Sequence, residues 1–186
     1  MTDKTEIRKI DFTTAFLQHE YEECEFFGCN FSGILFDNAN FDHCRFVQCN
    51  FSLCKMNGTS WSDVLFEDCK MTGIEFTYCN NYSLSVSFKK ADLRYALFVG
   101  TKLINTLFDG CNLMEADFSE ANLKAATFKE CDLAMTVFSR TNLEKADFTT
   151  AENYGINPVS NKIKKARFSR FGLEGLVSCF DVVVED

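Results

Sequence analysis

The sequence predicts an elongated repeat fold, a solenoid rather than a globule. Three observations predict it. Large apolar residues recur every five positions, a small residue stands two places before each of them, and the composition is skewed to match. The 186 residues include 21 Phe and 10 Cys but a single Pro. Neither the 3.6-residue period of a helix nor the two-residue period of a strand accounts for a five-residue repeat.

The repeat falls into two runs. From Phe16 to Phe76 every fifth residue is large and apolar, and it is Phe except at Tyr21, Met56, Trp61 and Met71. From Phe88 to Phe148 the register alternates Phe and Leu without exception. With Phe168 included, 17 of the 21 Phe lie on it, so the aromatic excess is a property of the repeat. Except for His19, the position two before each centre holds Cys, Ala, Thr, Val or Ile, and nine of the ten cysteines stand there, Cys179 being the exception. A free Cys behaves as a small buried hydrophobe, so these thiols are expected to fill core. The residue between the small one and the centre is often Asn or Asp, as at Asn112, Asp117, Asn122, Asp132 and Asp147. Their side chains bond nearby backbone and suit turns.

The unit is therefore small-polar-large-polar-polar, as in A-D-F-S-E (116–120) and A-N-L-K-A (121–125). It resembles the pentapeptide-repeat family over about residues 14–150. The resemblance implies an all-β fold, a right-handed quadrilateral parallel β-helix in which four pentapeptides make one square coil. The centre and the small residue would point inward and the other three outward. Residues i and i+20 would then stack about 4.8 Å apart. Phe88, Phe108, Phe128 and Phe148 would form one column, Phe98, Phe118 and Phe138 the opposite one, with Leu columns between. Cys24 would stack under Cys44, and Cys29 under Cys49 under Cys69. Counted from Phe16 to Phe148 there are about 6.6 coils, or roughly 32 Å of rod.

The register breaks twice. Phe76 and Phe88 are twelve residues apart, which predicts a bulge near Tyr78–Ser85 and would place Asn81 or Ser83 at a centre. The second break is A-E-N-Y-G-I-N-P-V-S-N-K (151–162), after which Ile163 and Phe168 return to register. The chain is read as a single domain over 1–186, with repeats over about 14–150, resumed at about 161–170, and a cap or dimerisation segment over about 171–186. The stretch G-L-E-G-L-V-S-C-F (172–180) reads as a short helix and D-V-V-V-E-D (181–186) as a strand. Apolar groups at a chain end favour pairing of two copies, and isologous dimers are the commonest oligomers. Leu176, Phe180, Val182, Val183 and Val184 are the residues expected in that joint.

The chain carries 27 acidic and 19 basic side chains, a net charge of -8, which disfavours direct nucleic-acid binding. Residues 1–150 carry all of that excess, and Lys162, Lys164, Lys165, Arg167 and Arg170 form a basic patch behind them. No run of 18 apolar residues predicts a membrane span. M-T-D-K-T-E-I-R-K-I has no apolar core and no cleavage site, so a cytoplasmic location with reduced thiols is expected. The Cys spacing of five is not that of a zinc site, and the two histidines add little, with His19 at a small inward position and His43 outward. There is no phosphate-binding Gly loop. A convex rod has no pocket in which carboxylates change their acidity, so neither an enzyme, a cofactor nor a metal is expected.

The ending is similar to the quinolone-resistance branch of the family, and I-N-P-V-S-N-K-I (156–163) to its microcin-immunity proteins. That likeness implies a cytoplasmic homodimer joined tail to tail that mimics B-form DNA, binds DNA gyrase or topoisomerase IV, and protects it from drug or toxin. The outward carboxylates Asp109, Glu120 and Glu130 and the bulge residues Tyr78 and Tyr82 are then the candidate partner contacts. The alternative is a generic interaction scaffold for another protein. A thiol- or metal-handling role is disfavoured by burial of the cysteines.

Overall fold

The structure is a computed structural model that describes residues 5–15, 17–180 and 182–183. Phe16, which opens the sequence register, and Val184 lie outside the described residues. The backbone winds as a right-handed parallel β-helix of about 8 turns. Its strands are β1 (Thr5–Arg8), β2 (Glu20–Glu22), β3 (Cys24–Phe27), β4 (Asn40–Asp42), β5 (Arg45–Val47) and β6 (Ser60–Glu67). They continue as β7 (Leu84–Lys89), β8 (Leu107–Asp109), β9 (Thr127–Lys129), β10 (Asp147–Phe148) and β11 (Arg167–Phe168). All pair in parallel, mostly with the residue twenty further on, as Phe26 with Phe46 and Phe108 with Phe128.

Four faces follow one another around each coil. The first carries the column Phe26, Phe46, Phe66, Phe88 and onward to Phe168. The second carries Phe31, Phe51, Met71, Leu93, Leu113 and Leu133. The third carries Phe36, Met56, Phe76, Phe98, Phe118 and Phe138. The fourth carries Tyr21, Phe41, Trp61, Leu103, Leu123 and Leu143. These centres are buried, most of them wholly, except Phe168 in the last coil, which is half-buried. Within a column the rings lie parallel, as at Phe98–Phe118 (4.8 Å, 3°), and across the core they meet edge to face, as at Phe108–Phe118 (5.8 Å, 82°). Both are favoured arrangements of the aromatic quadrupole.

Sharp corners close each square. Among the described residues, twenty non-glycine residues and six glycines have positive φ, nearly all two places after a centre. The Asn and Asp residues stiffen the segment before each corner. Asp117 accepts from the Ser119 N–H at 2.8 Å and Asp132 from the Ala134 N–H at 3.1 Å. The small positions do more than fill space. Cys69, Cys131, Thr136 and Thr141 all donate to the carbonyl 23 residues earlier, at 2.8–3.4 Å. Cys and Thr thus share a role that Ala cannot perform.

Four features depart from the sequence reading. The rod begins earlier than residue 14: Ile7 pairs with Phe26 and Phe12 stacks on Phe31 at 4.6 Å. Here the offset is 19, which breaks the five-residue step and hides the coil in the sequence. The rod is therefore about 38 Å long rather than 32 Å. His19 is exposed instead of inward, because the coil leading to Tyr21 is irregular. At the insertion the register slips between Trp61↔Leu84 and Val64↔Val86. Leu84, not Asn81 or Ser83, packs against the core there.

The fourth departure is at the tail. Helix α1 (Glu174–Val177), flanked by short 3-10 turns, confirms the expected short helix. Val182 and Val183 form no strand, and Asp181, Glu185 and Asp186 of the expected strand lie outside the described residues. The α1 region lies over Tyr154, and its approach is close. A Cβ on Gly172 would collide with the Tyr154 ring and one on Gly175 with the Tyr154 carbonyl.

The register makes a direct prediction. Phe118→Ala removes a wholly buried ring and is expected to cost about 3–5 kcal/mol in denaturant unfolding. Ser119→Ala, one place on and facing out, is expected to be near neutral. Equal costs at the two sites would refute the inward assignment.

Candidate protein-interaction site

Function on such a rod lies on its outward side chains, and their pairing decides which are available. The first face is a neutralised ladder. Glu67 takes hydrogen bonds from Arg45 of the coil before and Lys89 of the coil after, and these hold its carboxyl down to about 2. Lys129 sits 3.1 Å from Asp109, and Arg167 sits 2.8 Å from Asp147. Asp109, a candidate from the sequence, is thus tied to its neighbour. Glu120 is likewise held by Arg140 of the next coil. Opposite charges meet at i and i+20 or i+22 because that is where the coil pitch puts them.

Glu130 is different. It stands at the corner between the first and second faces, with Asp132 and Glu152 beside it on the second face and Glu115 at that face's other corner. Asp132 and Glu152 are bridge partners on successive coils. None of these four carboxylates forms an ion pair with a described residue. This is an acidic patch on the last coils of the second face, next to the cap. Three of its members were missed in the sequence, although the 20-residue spacing of Asp132 and Glu152 was there to find them.

The bulge places Tyr78 (64% exposed) and Tyr82 (93% exposed) on the surface. Lys102 lies 4.6 Å over the Tyr82 ring. Asn81 ties the bulge to the next coil, accepting from the Lys102 N–H at 2.9 Å and donating to the Gly100 carbonyl at 3.4 Å. The two tyrosines are separate from the acidic patch, several coils away. At the tail Phe180, Val182 and Val183 are exposed, as are Phe171 and Leu173, whereas Leu176 turns inward and lies half-buried against the core.

The description Pentapeptide repeat region matches residues 19–98 and 101–177. The chain belongs to the pentapeptide-repeat family. Two trypsin-treated variant forms of QnrB1, a plasmid-mediated fluoroquinolone resistance protein, share its fold with a TM-score of 0.66. Each is 14% identical to this chain, and the alignments cover 97% of this chain and 98% or 99% of theirs. HetL, a pentapeptide-repeat protein involved in heterocyst differentiation regulation in the cyanobacterium Nostoc, matches at 13% identity and a TM-score of 0.34, covering 89% of this chain and 87% of its own. A search of the curated proteins found no match.

Another surface feature of this pentapeptide-repeat rod is an apolar corner between the second and third faces. Leu35, Leu97 and Val137 belong to one bridge column, and Leu53, Tyr95 and Met135 stand across the corner from it. All six are exposed. Acidic and basic residues, Lys55, Glu75 and Asp117, occupy the intervening coils of that column.

The thiols form ladders inside. Nine are buried and Cys179 is exposed. Burial pushes Cys44, Cys54 and Cys79 up to about 12. In the Cys49–Cys69 pair burial drives Cys69 up, while the hydrogen bond from Cys69 eases ionisation of Cys49. Cys49 is only 1% exposed, so access and not acidity governs its reactivity. No group of three or more His, Cys, Asp or Glu side chains arranged to hold a metal occurs among the described residues. In the native protein a soluble thiol reagent is expected to label Cys179 alone within minutes, and in denaturant all ten. Fast native labelling of Cys49 or Cys111 would overturn the account of these thiols as core.

Proposed function

We propose that this protein is a non-enzymatic interaction scaffold of the cytoplasm that binds a type II topoisomerase, DNA gyrase or topoisomerase IV. It does so by presenting carboxylates where a duplex presents phosphates, and it guards the enzyme against drug or toxin. The observation that carries this reading is the acidic patch of Glu115, Glu130, Asp132 and Glu152, set on a rod whose fold matches a fluoroquinolone resistance protein from end to end. Topoisomerases hold DNA in a basic saddle. A rigid acidic surface competes there with a fast, salt-sensitive association.

The exposed apolar tail, Phe171, Phe180, Val182 and Val183, joins two copies tail to tail in this reading. Two rods end to end span roughly 76 Å, about 22 base pairs of duplex. The joint sets the acidic patches of the two copies on either side of the two-fold axis. Val183→Asp places an unpaired charge in it and is expected to shift the species seen by light scattering at 500 mM NaCl from dimer to monomer. A wild-type monomer at tens of micromolar would remove the joint from the proposal.

A second reading, a scaffold for a different protein, draws on the apolar corner of Leu35, Tyr95, Leu97, Met135 and Val137. The two are separated by supercoiling and relaxation assays at low salt. Wild-type protein is expected to inhibit gyrase or topoisomerase IV and to compete with linear DNA. Replacing Glu115, Glu130 and Glu152 together by Lys is expected to weaken inhibition at least tenfold with an unchanged melting temperature. Asp109→Asn, which alters a carboxylate already paired with Lys129, is expected to have little effect. If neither enzyme is bound, the topoisomerase reading fails and the second takes its place.

A further inference from the structure

The fourth face lies on the opposite side of the rod from the acidic patch, and its charges are sorted along the axis. Its outward positions are the two residues flanking each centre and the corner residue after them. Coils one to three carry Glu20, Glu22, Glu23, Asp42 and Asp63 there, with His43 as the only basic side chain. The bridges Glu20↔Asn40↔Ser60 and Glu22↔Asp42↔Ser62 fix them in line. The coil of the bulge carries no charge on this face. The four coils after it carry Lys102, Lys124, Lys145, Lys162, Lys164 and Lys165 against one carboxylate, Glu144. Lys102, Asn122, Asn142 and Lys162 follow one another in a single bridge column. None of the six lysines makes an ion pair with a described residue.

The pattern is antisymmetric at the two ends of the rod, whereas Asp42 in the second coil and Glu144 in the seventh are of like sign. The first coil has three carboxylates and the last has three lysines. Asp63 in the third coil has its counterpart in Lys124, in the third coil from the end. The middle of the rod holds Tyr82, 93% exposed, with Lys102 of the next coil over its ring. A surface of this kind is complementary to itself when one copy is turned end for end. We infer that two copies of this chain pair side by side and antiparallel through their fourth faces, with the two-fold axis passing beside Tyr82 and Lys102.

In the pair, Glu20, Glu22 and Glu23 of one copy face Lys162, Lys164 and Lys165 of the other at both ends. The contact is isologous and closes on itself. The face is about 34 Å long and only three residues wide, well below the area of a permanent interface. The association is therefore reversible and governed by salt. It leaves the acidic patch outward on both flanks and does not use the tail. Copies joined by both contacts would build assemblies larger than a dimer.

The test uses the Val183→Asp chain, so that the tail contributes nothing whether or not it forms a joint. Sedimentation velocity at 20 mM NaCl and tens of micromolar protein is expected to show a dimer. X-ray scattering should give it nearly the maximum dimension of a single rod, not twice that. At 500 mM NaCl it is expected to be monomeric. Lys162→Glu, Lys164→Glu and Lys165→Glu together should weaken pairing at least tenfold, and so should Glu20→Lys, Glu22→Lys and Glu23→Lys together. Mixing the two charge-reversed chains should restore a one-to-one pair, which also shows that both remain folded. A monomer at low salt, pairing unaffected by reversal, or no pair in the mixture would each overturn the inference. Topoisomerase inhibition is a separate measurement, so failure of one does not decide the other.

Discussion

The structure depends on one constraint: each coil must return to its starting point in about twenty residues, because its backbone groups have only the neighbouring coils to bond. A buried backbone N–H or C=O left unpaired costs as much as a lost hydrogen bond. The bonds from Leu103 N–H to the Asn122 carbonyl and from Leu123 N–H to the Asn142 carbonyl, both 2.8 Å, are repeated along the whole rod. Closing a square in twenty residues needs four sharp corners. The left-handed conformation at residues such as Glu115, Ala125 and Lys145 is the local cost of those corners. An αL residue other than Gly gives up roughly 1–2 kcal/mol, so the inter-coil ladder and the ring stacks must outweigh it many times over.

The bulge shows what happens when the constraint is broken. Two extra residues cannot be absorbed at a corner, so the coil loses its proper centre on the fourth face. Leu84 reaches only partway in. In the coil before it the single Trp of the chain, Trp61, is wholly buried and stacks on Phe41 at 4.5 Å. Its ring also meets Phe66 at 5.3 Å and comes within 6.4 Å of Phe76. The larger indole compensates volume where its neighbour is short, as close packing requires. Its Nε1 finds no hydrogen-bond partner among the described residues, which marks the site as a packing compromise. On the backbone side the Asn81 side chain supplies the bonds to Gly100 and Lys102 that a regular coil would have made.

The repeat was legible in the sequence because each inward residue is chosen by one local requirement, its volume. The Phe and Leu alternation of residues 88–148 could be read directly as opposed columns. Ile7 and Phe12 were not legible, because a 19-residue offset erases the step of five while leaving the fold intact. The candidate site was less legible for a different reason. Whether Asp109 is free depends on Lys129, twenty residues away, and whether Glu67 is free depends on Arg45 and Lys89. Charge pairing is a property of columns, so reading outward residues along the chain mixes four faces that never meet. Sorted by face, the net acidity resolves into a neutral ladder, an acidic patch and an antisymmetric strip.

The ends of a rod built this way are open edges, and edges invite uncontrolled pairing. The C-terminal end is closed by steric fit. Tyr154 leaves the five-residue register and is buried between Phe148 and Phe168, at 5.7 Å from each ring. Gly172 and Gly175 let the final helical turns settle on it, and Gly175 accepts a hydrogen bond from the Ile156 N–H at 2.9 Å. Any side chain at either glycine would lift those turns off the last coil. The cap packs on the last coil and takes the Ile156 N–H bond, while Phe171, Phe180 and Val183 face outward. Covering backbone with a four-residue helix thus exchanges a hydrogen-bonding edge, which any strand could extend, for an apolar surface, which only a partner of matching shape can cover.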